Sequence, residues 1–116
     1  MTIQDIKQLY ESGLQAVNEA DMKLICKHNR KNNACFMAEN EDWSVDFSGP
    51  STVVSYTAEG TPIVKKGMAR VSLYNINTDE EGDMEFDDPK KAMRFLKLAV
   101  LNPAKAAKRM DMYICD

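Results

Sequence analysis

Trp43-Ser44-Val45-Asp46-Phe47-Ser48 alternates large apolar residues with small or charged ones, and Gly49-Pro50 closes the run. A period of two marks a strand with one buried and one outward face. The alternation returns downstream. Ala69, Val71 and Leu73 interleave with Arg70, Ser72 and Tyr74, and Met84 and Phe86 interleave with Asp83, Glu85 and Asp87. These two runs read as a hairpin with an acidic tip. Between them and the first run, Thr52 to Thr57 is rich in β-branched and aromatic residues, and Ala58-Glu59-Gly60 reads as a turn. Pro62-Ile63-Val64 fits a short edge strand, because proline cannot donate to a central ladder, and Lys65-Lys66-Gly67 breaks the run.

Toward the N-terminus the pattern changes. From Met22, Leu24 and Ile25 either extend a helix from an Asp21 cap or open a strand. That strand turns through Asn29-Arg30-Lys31-Asn32-Asn33 and returns through Cys35-Phe36-Met37, and the hairpin is the favoured reading. Before it, Ile3, Ile6, Tyr10, Leu14 and Val17 recur at helical steps behind a Thr2 cap, with Asp5 in the place of the capping-box acid. An amphipathic helix to about Glu19 follows. Gly13 inside it costs ~1 kcal/mol relative to Ala. Either a neighbouring element approaches closely there or the helix is locally weak, and the sequence leaves both open.

At the other end, Asp88-Pro89 supplies a capping acid followed by proline at the first helical position, and Ala92, Phe95, Leu96 and Ala99 form an apolar stripe. Asn102-Pro103 repeats the start signal, so a second helix is expected from Pro103 to about Met110. The expected class is α+β: an N-terminal helix, an antiparallel meander of about 4–6 strands, and two C-terminal helices packed on one sheet face. A single domain spanning residues 1–116 accommodates all of it.

With 44% hydrophobic and 28% charged residues, composition is that of an ordinary globular domain. Leu98-Ala99-Val100-Leu101 is far short of the ~20 apolar residues a membrane span needs. Met1-Thr2-Ile3-Gln4-Asp5 has neither a basic nor an apolar leader region, so a cytoplasmic location without membrane contact is expected. Cys26, Cys35 and Cys115 are too few and odd in number for a disulfide framework and read as free thiols. The formal net charge is only -3, so the distribution of charge says more than its sum.

The negative half of that distribution is dense. Asp79, Glu80, Glu81, Asp83, Glu85, Asp87 and Asp88 place seven carboxylates in ten residues, whose mutual repulsion calls for cations, a basic partner or full solvation. A solvated tip that resists edge-to-edge aggregation is one reading. A metal loop is another. From Asn77 to Asp88, with oxygen donors at Asn77, Asp79, Glu81, Asp83 and Glu85 and Gly82 at the turn, the segment resembles the calcium loop of EF-hands. It departs from that family in the strand-like residues before Asn77, in the short Asp88 as last ligand, and in Pro89 after it, so no metal is expected. The third reading is recognition of a cationic protein surface, with long-range attraction raising encounter rates.

The positive half lies at the C-terminal end: Lys90, Lys91, Arg94, Lys97, Lys105, Lys108 and Arg109, with no acid between Pro89 and Met110. Lys90, Arg94 and Lys97 share a helix face. Lys23, Lys27, His28, Arg30 and Lys31 make a second basic group, and if the two groups meet they form a phosphate-binding patch. An ordinary solvent-facing helix surface explains the lysines equally well, and Phe95 falls on the apolar stripe rather than among them.

Chemistry-bearing motifs are sparse. Cys26, His28, Cys35 and Cys115 include soft ligand types, but their spacing matches no zinc knuckle. Cys26 and His28 share a strand face without a third orienting group. No Gly-rich nucleotide loop, zinc-protease or serine-hydrolase pattern occurs, so neither catalysis nor a cofactor is expected. Met37, Met68, Met84, Met93, Met110 and Met112 suit soft core filling or an adaptable surface. The apolar segment from Met110 to Cys115 is expected to dock on the body or on a second copy.

These readings converge on a non-enzymatic binding protein, an adaptor or inhibitor whose acidic hairpin docks on a protein with a basic surface. Small domains without catalytic motifs are typical of phage and mobile-element accessory proteins, such as inhibitors of host defence complexes, and of toxin-immunity proteins; that step is analogy. The alternative is a small nucleic-acid-binding protein that uses the basic C-terminal helices. A homodimer that neutralises the two charged halves is compatible with either.

Overall fold

The computed structural model describes residues 1–114, with side chains in that range except at residues 51–54 and 62–66. Helix α1 (Ile3–Glu19) is followed by strands β1 (Lys23–Arg30), β2 (Asn33–Glu39), β3 (Trp43–Gly49), β4 (Ser51–Tyr56), β5 (Pro62–Lys66), β6 (Ala69–Asn75) and β7 (Glu80–Phe86). Helices α2 (Pro89–Leu101) and α3 (Pro103–Ala107) precede a short β8 (Tyr113–Ile114). Six strands form one antiparallel sheet in the order β1-β2-β3-β6-β7-β8, and β4 pairs with β5 in a separate two-stranded sheet. The class is α+β as expected, and β3 pairs with β6 because the β4–β5 hairpin is excursive to the main ladder.

Local chemistry explains the helix ends. Thr2 Oγ1 accepts from the Asp5 amide at 3.1 Å while Asp5 Oδ2 accepts from the Thr2 amide at 2.9 Å, a complete capping box. Asp88 Oδ1 caps α2 through the Lys90 amide at 2.9 Å, and Asn102 Oδ1 caps α3 through the Lys105 amide at 3.2 Å. Helix α3 stops at Ala107 rather than near Met110. Its last turn tightens instead, with the Arg109 and Met110 amides bonding three residues back to Ala106 and Ala107. Residues 23–39 form the hairpin rather than a helix, and its turn is only Lys31-Asn32, narrower than Asn29 to Asn33.

Helices α1 and α2 pack side by side on one face of the sheet, α1 over β1, β2 and β3 and α2 over β3, β6 and β7. Between these layers sit Ile6, Leu9, Phe36, Phe47, Val71, Leu73 and Leu96, each no more than 1% exposed. The Phe36 and Phe47 rings lie 5.6 Å apart, and Tyr10 meets Phe36 edge-on at 6.3 Å. Met22 and Met110 are buried and Met84, Met93 and Met112 pack against the core, so these methionines mainly fill space. Among the described residues no helix is long and apolar enough to cross a membrane.

Gly13 resolves into close approach. A side-chain carbon there would stand 2.6 Å from Phe36 Cε2 and 2.9 Å from Leu96 Cδ2, so the glycine is where α1 rests on both the sheet and α2. Gly13→Ala is therefore expected to lower stability by about 1–3 kcal/mol despite alanine's better helix propensity, read as a reduced urea midpoint at unchanged slope. A stabilised variant would contradict this packing.

Candidate functional site

Alternation leaves the sheet with one face toward the helices and one that no helix covers. Register arranges the uncovered face in rows. The first contains His28, Cys35, Ser48, Arg70 and Glu85; the second Cys26, Met37, Asp46, Ser72 and Asp83; the third Lys23, Glu39, Ser44, Tyr74, Glu81 and Tyr113. A concavity of about 410 Å³ opens over the second and third rows, lined by Asp46, Arg70, Tyr74, Glu81, Asp83 and Tyr113 together with Met37, Ser44 and Ser72.

Arg70 is its positive centre. The guanidinium forms an ion pair with Asp83, both side chains being more than a third exposed, and it stands across the ladder from Glu85. Such a partly solvated pair contributes little to stability, roughly 0–1 kcal/mol, so its effect is mainly on the shape of the local field. Burial raises the Asp46 carboxyl above its ordinary value, and the Arg70 charge offsets part of that rise. At the rim, the Tyr74 hydroxyl donates to the Asp79 carboxylate. That hydrogen bond, followed by desolvation and the charges of Asp79 and Glu81, holds the phenol above its ordinary value. Acceptors and aromatic hydroxyls over a shallow surface suit the binding of cations and N–H donors. The chain's histidine, His28, lies on β1 at the far edge of the sheet.

Of the seven carboxylates only Asp79 lies in the hairpin turn, so they do not form an acidic tip. The β6–β7 turn is Ile76 to Asp79 and is closed by Asn75, whose Oδ1 accepts from the Asn77 amide at 3.0 Å and the Thr78 amide at 3.2 Å. It is also tied to the β2–β3 loop: the Ile76 amide donates to the Asp42 carbonyl at 2.9 Å, and Asn77 Nδ2 donates to Asp42 Oδ1 at 2.9 Å. Asp79 sits at the end of this turn with φ 61. Glu80, Glu81, Asp83 and Glu85 then run along β7, where buried Gly82 and half-buried Met84 and Phe86 take the core side and so send Glu81, Asp83 and Glu85 to the uncovered face. Asp87 is exposed beyond the strand, and Asp88 is engaged as the α2 cap.

The same geometry breaks the likeness to a calcium loop. Gly82 lies mid-strand, where its missing side chain admits Met112 Sδ and the Asp111 carbonyl at 2.9 and 3.1 Å from the position a Cβ would take. An extended strand cannot converge its donors on one ion. Among the described residues no group of three or more His, Cys, Asp or Glu side chains is placed to hold a metal. Cys115 lies outside the described residues.

Lys90, Lys91, Arg94, Lys97, Lys105, Lys108 and Arg109 are all exposed. Lys23, Lys27, His28 and Arg30 lie on β1 at the opposite edge of the sheet from β7, with α1 over that end and α2 over the other. The two basic groups therefore do not merge into one patch.

Asp46, Arg70, Tyr74 and Tyr113 were not singled out by any motif. The signal for the first three was present in the alternation itself, which assigns them the outward face, but only strand order makes them neighbours. No family model, curated protein or solved structure matches the chain.

Two titrations check this electrostatic picture. A carboxyl whose folded value is raised allows full stability below the unfolded value, and that stability is lost as pH rises through the folded value. Asp46→Asn should therefore exceed the parent in urea midpoint at neutral pH, with the gap closing below about pH 3.9. Asp79→Asn, tolerated at a positive φ, should lower the Tyr74 midpoint measured by phenolate absorbance; an unmoved midpoint would remove Asp79 as the cause.

Proposed function

We propose that this chain is a non-enzymatic binding protein, an adaptor or inhibitor, that receives a basic protein surface on the uncovered face of its sheet. Asp46, Glu81, Asp83 and Glu85 supply the acidic contacts, Tyr74 and Tyr113 the anchors, and Glu80 and Asp87 extend the field. The observation that carries this reading is the concavity, where three carboxylates surround a single guanidinium. Tyr113 at its rim is 53% exposed, and tyrosine is among the residues that concentrate binding energy at interfaces. A cationic side chain entering the concavity would take up the carboxylate charge that Arg70 leaves unneutralised, and the surrounding field would steer its approach. Binding of this kind needs no reacting group.

The competing reading, nucleic-acid binding by the basic helices, draws on the exposure of all seven cations from Lys90 to Arg109. Titration with DNA and RNA at low salt separates the two, since phosphate contacts give affinity that falls steeply with salt. Absence of binding at low salt removes it.

For the main reading, affinity capture from the native host identifies the partner, and titration of that purified partner tests the site. Combining Glu81→Gln with Asp83→Asn should weaken binding about tenfold or more and flatten its salt dependence. Glu11→Gln with Glu19→Gln, which removes equal charge from the exposed side of α1, should leave affinity unchanged. Equal affinity for the site variant and the parent would overturn the proposal.

A further inference from the structure

Burial alternates along β2, β3 and β6, but β1 is exposed at all eight positions. It stands at the end of the sheet with β2 as its one ladder neighbour, so its outer edge presents backbone donors and acceptors without strand partners among the described residues. The Arg30 carbonyl, which accepts from Lys7 Nζ, is engaged. Leu24 and Ile25 are 36% and 43% exposed, an apolar contact at the start of a bare strand.

We propose that β1 docks an extended acidic segment of a partner protein, which joins the sheet as an additional strand. Charge selects this occupant. Lys23, Lys27, His28, Arg30 and Lys31 lie along the strand and its turn, and no acid occurs between Met22 and Ala38. A second copy pairing β1 to β1 would set cations opposite cations, which destabilises a ladder. The chain's own acidic strand is a poor substitute, because β8 already pairs with Glu80 and Glu81 and the Asp111 carbonyl packs against Gly82. Register refines the match: Lys23, His28 and Arg30 share the uncovered face, while Leu24, Lys27 and Asn29 lie opposite Ala38, Phe36 and Ala34 on the helix side. The complementary segment carries acidic residues on the uncovered face and an apolar residue against Leu24, its backbone supplying affinity and its side chains register. This surface is separate from the acidic concavity and opposite in sign, so it stands whether or not that reading does.

The probe is a capped alternating Val-Glu peptide about as long as β1, ~8 residues, with an alternating Val-Lys peptide of equal length as control. Amide hydrogen exchange across Lys23–Arg30, followed by NMR, should slow about fivefold or more at saturating Val-Glu peptide and remain unchanged with Val-Lys. Combining Lys23→Glu with Arg30→Glu, both exposed, should weaken Val-Glu binding about tenfold and admit Val-Lys. Absence of β1 protection by Val-Glu, or equal protection by both peptides, would overturn the proposal. So would concentration-dependent protection in the free chain that sedimentation traces to a dimer.

Discussion

Val45 lies against Leu73 and Phe47 against Val71 in the β3–β6 ladder, and none of the four is more than 1% exposed. Burying each such side chain stabilises the fold by about 1.5–3 kcal/mol, and they do so only while all point toward α1 and α2. A slip of β6 by one residue against β3 would turn Arg70 and Ser72 into the core and expose Val71 and Leu73. The register is thereby held, and with it the composition of the opposite face. Gly13 belongs to the same constraint, since its bare Cα lets α1 settle on Phe36 and Leu96.

The uncovered face is a consequence of that one-sided burial. Polar residues that alternate with core residues along four strands are brought into rows, and the rows carry a gradient from Lys23, His28 and Arg30 at the β1 edge to Glu81, Asp83 and Glu85 at β7. Arg70 interrupts the acidic side and holds Asp83, while Asp46 beside it sits deep enough for burial to outweigh the attraction. Opposite edges of one sheet thus offer opposite charge, one as a side-chain surface and one as an open backbone edge.

Much of the fold was legible because it follows from local chemistry. The Thr2–Asp5 capping box, the Asp88-Pro89 and Asn102-Pro103 starts, and the period-two runs at Trp43, Ala69 and Met84 each act within a few residues. The acidic segment is legible as a charge density, but its course along β7 rather than at the hairpin tip is not. Asn75 closes a turn that holds only Asp79 of these acids, and the packing of Met84 and Phe86 against the core draws Glu80 to Phe86 into a strand. Asn75-Ile76-Asn77-Thr78 carries that turn signal in the Asn75 side chain, which accepts from the two amides that follow Ile76.

The amino-acid sequence by itself determined which residues face inward, where the helices start, and that the two signs of charge lie far apart along the chain. Only the tertiary structure decided that β3 pairs with β6, that Asp46, Arg70, Tyr74, Glu81, Asp83 and Tyr113 share one concavity, and that the outer edge of β1 has no strand partner among the described residues. The physical reason is range. Periodicity and capping act between residues three or four apart, whereas strand order is set by which hydrophobic faces can be covered together, a property of the assembled core.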